Sequence, residues 1–230
     1  MRLSQEIELV GKGLFLNVEK TLVIGDLHLG YEEMLINKGV LVPKAQLKET
    51  LRDLEELVKK VKPLQIVING DLKHEFGRVL GQEWKDTLTL IDWIVKKGIK
   101  LIVIKGTHDP TLKPILSKRF LKTVDSLQLG KIFIFHGDKE MKIPSGVETL
   151  IIGHEHPAIT LREGRKTEKF KCFLRGRWKG KELIVLPAFN PLMEGTDILT
   201  EPAISPLVKQ MKRREVFVIG AKEVLNFGKI

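Results

Sequence analysis

Six histidines occur in this 230-residue chain, at positions 28, 74, 108, 136, 154 and 156. Each stands at or just past the end of a short apolar run, within three residues of a Gly or an Asp. The runs are LVIGD (22–26), IVINGD (66–71), LIVIKG (101–106), IFIFHGD (132–138) and LIIGHEH (150–156). Imidazoles and carboxylates are the side chains that hold borderline divalent metals and move protons near neutral pH. Asp26 and His28 are two apart, a spacing that on an extended backbone points both side chains the same way. Asp71 is followed by His74, His108 by Asp109, and His154 and His156 lie between Gly153 and Pro157, which fix a turn. Each pair alone has an ordinary alternative: chance for D-x-H, a plain turn for Gly-Asp, a backbone-bonded strand end for His136, a cap on the turn at Pro110 for His108. Brought together, Asp26, His28, Asp71, His136, His154 and His156 are too many donors for one tetrahedral ion. They suit two ions that share a carboxylate.

The elements that would gather these residues are legible around them. Continuous apolar runs of four to six residues closed by Gly predict strands buried on both faces. Between them, PKAQLKETLRDLEELVKKV (43–61) carries Leu47, Leu51, Leu54, Val58 and Val61 at helical spacing, with Pro43 suited to a first turn. A second helix is predicted over 83–98, with Trp84, Leu88, Ile91 and Val95 on one face and Gly98 as its stop. Strands alternating with helices predict crossovers and a largely parallel sheet, whose carboxyl ends are where α/β proteins bind ligands. After about residue 130 short strands dominate, which predicts a second, more antiparallel sheet packed face to face with the first.

The ordered set D-x-H, G-D-x-x-H, G-x-H-D, H and G-H-x-H, over residues 22 to 157, resembles the calcineurin-like metallophosphoesterase family. Within it, the small archaeal phosphoesterases related to double-strand-break repair nucleases are most similar. The resemblance implies an α/β four-layer α-β-β-α sandwich, two mixed β-sheets face to face with flanking helices, spanning residues 1–230 as a single domain. It implies two divalent metal ions, Mn foremost, with Fe, Zn and Ni open. One ion would take Asp26, His28 and His156, the other His136 and His154, and Asp71 would bridge. The implied reaction is hydrolysis of a phosphodiester or phosphomonoester, with nucleic acid a candidate substrate, by in-line attack of an activated bridging water. His108 would protonate the leaving oxygen, Asp109 would hold its ring, and His74 would lie near the phosphate. At Thr107 the family's loop carries an asparagine that binds the second ion. A hydroxyl one bond shorter is a poorer ligand, which leaves a rival reading: a weakly active or non-catalytic binding module on the same fold.

Bulk properties bound the rest. The 39 Lys and Arg against 29 Asp and Glu give +10, a balance that favours polyanionic partners. Cys172 is the only cysteine, so an intrachain disulfide and a thiolate cluster are excluded. Lys and Glu are abundant and Asn and Gln sparse, a composition common in proteins of hot environments. Neither a signal-peptide pattern nor a membrane-length apolar run is present, and a cytoplasmic protein is expected. Residues 162–181 hold nine Lys or Arg against two Glu, with Phe170, Phe173 and Trp178 among them. Arg175, Arg177 and Lys179 would contact nucleic acid there if the aromatics stacked on bases; the alternative is a β-hairpin with its aromatics in the core.

Overall fold

The computed structural model describes residues 1–76, 81–164 and 166–230, with the side chain of Glu163 left out. Arg165 of the basic segment therefore lies outside the described residues. The first sheet runs β1 (Ile7–Val10), β2 (Gly13–Leu16), β3 (Thr21–Ile24), β4 (Gln65–Asn69), β5 (Lys100–Ile104) and β6 (Thr123–Val124), in that spatial order. Its first three strands pair antiparallel and the last four pair parallel. The parallel pairs are made by crossovers through α1 (Tyr31–Asn37), α2 (Gln46–Val61) and α3 (Gly81–Lys96), and α4 (Lys113–Ser117) precedes β6.

The second sheet is built from β7 (Ser126–Leu129), β8 (Ile132–Phe135), β9 (Thr149–Ile152), β10 (Pro157–Glu163), β11 (Lys166–Trp178), β12 (Lys181–Val185) and β13 (Thr196–Asp197). Its spatial order is β13-β10-β11-β12-β9-β8-β7, parallel at β8/β9, β9/β12 and β10/β13 and antiparallel elsewhere. The short α5 (Pro206–Lys209) leads into β14 (Lys212–Ile219), which pairs with β11 and with β15 (Val224–Lys229). Both sheets are mixed, as the family resemblance implies.

The layering follows from alternation along each strand. Leu22 and Ile24, Ile66 and Ile68, Leu101 and Val103 face α2 and α3 in one cluster, while Val23, Val67 and Ile104 point the other way. That inner face meets Ile132, Ile134, Ile151 and Ile184 of the second sheet. Phe133, Phe135, Leu150, Ile152, Leu183 and Val185 form the outer face of the second sheet, covered by Leu207, Val208 and Met211. Runs apolar at every position are explained by two cores, one on each face. Each fully buried Val, Leu or Ile contributes about 1.5–3 kcal/mol. The result is a four-layer α-β-β-α sandwich whose outer layer on the second sheet is thin.

Both predicted helices form, with shifted faces. Helix α2 starts at Gln46 behind Ala45, so Pro43 lies ahead of its first turn. In α3 the buried face is Glu83, Asp86, Thr87, Leu90, Ile91 and Ile94, and Val95 is 52% exposed. The apolar periodicity misplaced Val95 because half of the true inward face is polar. Thr87 Oγ1 donates to the Glu83 carbonyl at 2.7 Å, and the Glu83 carboxylate accepts the backbone N–H groups of His74 and Glu75 at 2.8 Å each.

In the basic segment, Phe173 and Trp178 are buried and Phe170 packs against the outer core of the second sheet. Of the two readings of this segment, the aromatics follow the hairpin with its aromatics in the core and not base stacking: β11 must bury alternate side chains between β10, β12 and β14, and the aromatics are the apolar members. Arg175 pairs with Glu182 at 2.6 Å and Glu215 at 3.7 Å, Lys179 pairs with Glu140 at 2.6 Å, and Arg177 is exposed.

Candidate metal centre

Five strand ends converge. Asp26 and His28 follow β3, Asp71 follows β4, His108 follows β5, His136 follows β8, and His154 and His156 follow β9. The backbone leaves the strands sharply: φ is +56° at Asp26, +44° at His28, +46° at Asp71, +66° at His154 and +50° at His156. Side chains of L-residues seldom adopt this left-handed conformation, and it costs roughly 1–3 kcal/mol where it is enforced. Five such residues at one place mark a site that the surrounding structure over-determines. Asp26 and His28 thus converge through left-handed turns, and the extended geometry expected for D-x-H is not what aims them.

The glycines beside these residues make room. A Cβ on Gly70 would run into the His136 ring, and one on Gly106 into the Asp71 carboxylate. Backbone bonds bind the loops to each other: Asp26 N–H donates to the Gly70 carbonyl at 3.2 Å and His28 N–H to the Asp71 carbonyl at 2.8 Å. Across the sheets, His154 N–H donates to the Asp26 carboxylate at 3.1 Å.

The side chains fall into two groups with donor atoms within 4.8 Å of one another, Asp26/His28/His156 and Asp71/His136/His154. Asp71 Oδ2 lies between them, 3.6 Å from His28 Nε2 and 3.3 Å from His136 Nε2. His156 Nε2 is 3.3 Å from Asp26 Oδ1. His154 Nδ1 and His136 Nε2 face each other at 3.2 Å. Buried ring nitrogens ordinarily find hydrogen-bond partners. Among the described residues His28 Nε2 and His156 Nε2 are buried without a well-aligned hydrogen bond, facing carboxylates instead. Unbonded imidazole nitrogens aimed at carboxylates fit a metal-binding cradle.

The electrostatics agree. Burial would raise the pKa of Asp26, but His156 and His136 outweigh it and hold the carboxyl below its usual range. Asp71 moves the same way: burial would raise it, but His136, His28 and the His108 N–H outweigh burial and hold it well below its usual range. Burial drives His28 down to about 3, against the pull of Asp71. Burial would also lower His136, but its hydrogen bond to Asp71 and the charge of Asp26 carry it up to about 9. Two buried, ionised carboxylates draw a proton onto one imidazole, and the same field favours a divalent cation.

A third group, His28, His74 and His108, adjoins the first. The His74 and His108 rings stack with centroids 5.2 Å apart, and the half-exposed Phe76 lies over His108. His108 Nδ1 bonds the His74 carbonyl, which can only accept, so Nδ1 carries the proton and Nε2 is left for other partners. Asp109 does not orient this ring. Its carboxylate accepts the backbone N–H of Gly106 at 2.9 Å and those of Leu72 and Lys73 at 3.4 Å, tying the loop after β5 to the loop after β4. The expected Asp109–His108 relay is corrected on that geometry. Burial and the charge of Asp71 raise Asp109 to about 6. Thr107 is exposed at the rim, while His108 N–H next to it donates to Asp71 Oδ1 at 2.8 Å.

Other positioning residues carried weaker sequence signals. Asn69 Nδ2 donates to the Phe135 carbonyl at 2.9 Å, fixing the approach to His136. Gln46 Nε2 donates to the carbonyls of Leu27 and His28 at 3.2 and 2.8 Å. Asn190, in the turn-rich stretch after β12, donates from Nδ2 to the His28 carbonyl at 3.4 Å. Glu155, between the paired histidines, accepts from Ile204 and Ser205 N–H at 3.0 and 2.7 Å. A polar residue interrupting an apolar pattern was the available clue for Gln46 and Asn69.

A sequence model of the calcineurin-like phosphoesterases matches residues 19–191. Among solved structures, the chain is similar to the Pseudomonas putida nuclease MPE, with a TM-score of 0.66 and 21% identity over 94% of this chain and 92% of that one. YfcE, a phosphoesterase from E. coli, superposes with a TM-score of 0.43 and 16% identity over 91% of this chain and 97% of that one. No curated protein matches the sequence.

Proposed function

Because the chain belongs to the calcineurin-like phosphoesterase family, we propose that it is a metal-dependent hydrolase of phosphodiester or phosphomonoester bonds. Asp26, His28 and His156 would hold one divalent cation, His136 and His154 a second, with the Asp71 carboxylate available to both. The observation that carries this reading is Asp71 Oδ2, set between His28 and His136 at 3.6 and 3.3 Å with unpartnered imidazole nitrogens nearby. Mn is the favoured metal, and His with carboxylate donors also suits Fe, Zn and Ni. When bound, such cations supply Lewis acidity, neutralising phosphoryl oxygens and lowering the pKa of a water.

The chain's own residues do the rest. Asp26 and Asp71 stay ionised and His28 neutral, the protonation states a cation requires of its ligands. His108, its Nδ1 tied to the His74 carbonyl, presents Nε2 to give a proton to the leaving oxygen. His74, driven down to about 4 by burial and the charge of His108, stands beside it as a neutral donor to phosphoryl oxygens. Asp109 acts by holding the two loops in register. The net charge of +10 supports an anionic substrate, and nucleic acid is the candidate polymer.

Asp71, His136 and His154 would hold the second ion, to which the exposed Thr107 would add only a weak hydroxyl contact. Manganese-dependent hydrolysis of bis(p-nitrophenyl) phosphate, measured for the wild type and for Thr107→Asn, tests the reading. Both proteins are expected to turn over, with the variant reaching half-maximal rate at lower manganese. Activity in neither would make this a non-catalytic binding module.

A further inference from the structure

Two clefts open beside the metal-site residues, and they differ in character. On the His136 side, about 220 Å³ is lined by Lys105, Asp125, Asp138, Lys139 and Met141. On the His156 side, about 530 Å³ is lined by Tyr31, Leu192, Met193, Glu194 and Ile204. The first is charged and narrow. The second is wider and mixes Tyr31, Leu192, Met193 and Ile204, the last 51% exposed, with the polar His156, Glu194 and Thr196. Aromatic and aliphatic side chains next to a phosphate site do nothing for the phosphate; they serve whatever is esterified to it.

The wall is fixed relative to the site. Asn190 Oδ1 accepts the Leu192 N–H at 2.8 Å while its Nδ2 bonds the His28 carbonyl. At the other end, Thr196 N–H donates to the His156 carbonyl at 2.8 Å. The loop 191–195 is therefore stapled at both ends to candidate ligands, a preorganised surface rather than a loose one. Tyr31 is the only tyrosine in the chain. Its ring stands edge-on to His74 with centroids 4.9 Å apart, and its hydroxyl has no hydrogen bond among the described residues. A cleft of this size takes a small ligand of one ring system. An aromatic side chain with aliphatic neighbours favours a planar ring. The planar group carried by biological phosphodiesters is the nucleobase. Glu194, exposed at the rim, repels a further phosphate there and accepts from an amino group.

Resting on the phosphoesterase reading of this site, we infer that the cleft beside His156 is the subsite for the nucleoside of a nucleotide phosphodiester. Its base lies on Tyr31, and Leu192 and Met193 form the wall. The test compares two diesters with the same leaving group, thymidine 5′-(p-nitrophenyl phosphate) and methyl p-nitrophenyl phosphate, in the manganese-loaded full-length protein. The expected ratio of kcat/KM is about tenfold in favour of the thymidine ester, the scale of one base stack, and carried by KM. Tyr31→Ala and, separately, Met193→Glu bring that ratio toward one, and Tyr31→Phe preserves it. Calorimetry gives a second readout: thymidine 5′-monophosphate binds more tightly than methyl phosphate in the wild type and not in Tyr31→Ala. Equal kcat/KM for the two esters overturns the inference and leaves the phosphoesterase reading standing. So does a Tyr31→Ala variant that slows both esters alike with the ratio intact, which would assign Tyr31 to His74 alone. Hydrolysis of neither ester overturns the phosphoesterase reading, and the inference falls with it.

Discussion

Asp71 divides its two oxygens between different partners. Oδ1 accepts the His108 N–H at 2.8 Å, and Oδ2 stands between the imidazoles of His28 and His136. One carboxylate thereby links the loop after β5 to both candidate metal-binding groups. Asp71→Asn keeps the shape but removes the charge, leaving an amide that cannot serve two cations as well. It should lower activity by about two orders of magnitude or more, with circular dichroism unchanged and bound manganese reduced. The residues that gather at the candidate site were legible in the sequence because an Asp or His that ends an apolar run beside Gly has little packing reason to be there. The backbone that aims them was not legible, since no residue type announces φ of +44° at His28. Nor was the use of Asp109, which serves backbone N–H groups where the motif suggested a histidine partner.

Among the elements, the strands were the most legible, because each of the five runs is apolar at both alternations and each of the two cores needs one of them. Helix faces were less so: α3 turns Glu83, Asp86 and Thr87 inward, which an apolar count reads as the outside. The stretch after β12 shows how such supports work. Lys171 Nζ donates to the Ala188 carbonyl at 2.9 Å and to that of Asn190, while Lys12 Nζ donates to the Phe189 carbonyl at 3.0 Å. Phe189 N–H in turn donates to the Gly25 carbonyl at 2.9 Å, next to Asp26. Burial, with nearby Lys12 adding to it against Asp53 and Asp26, lowers Lys171 from near 10.5 to about 7. Between those values the unfolded chain holds a proton that the folded chain has released, so stability from this group rises with pH across the window. In thermal melts from pH 7 to pH 10, the Tm of the wild type should climb relative to that of Lys171→Met. Parallel Tm curves would contradict the shift.

At the scale of the whole molecule, the sandwich brings the carboxyl ends of β3, β4 and β5 together with those of β8 and β9, so that residues from position 26 to 156 form one site. Among the described residues no helix is long and apolar enough to cross a membrane. The positive charge is unevenly useful. Arg175 and Lys179 are matched by carboxylates, whereas Lys105 and Lys139 are exposed beside His136 with no ion pair among the described residues. Binding of a short oligonucleotide should weaken as salt is raised. Reversing Lys105 and Lys139 to Glu should weaken it more than reversing Arg175, Arg177 and Lys179; the opposite order would place the polyanion on the β11 surface. The central claim, that this site holds two ions bridged by one carboxylate, is tested most directly by anomalous scattering from a manganese-soaked crystal. Two peaks are predicted, one among Asp26, His28 and His156 and one among His136 and His154, with Asp71 touching both. A single peak, or ions held by other residues, would contradict it.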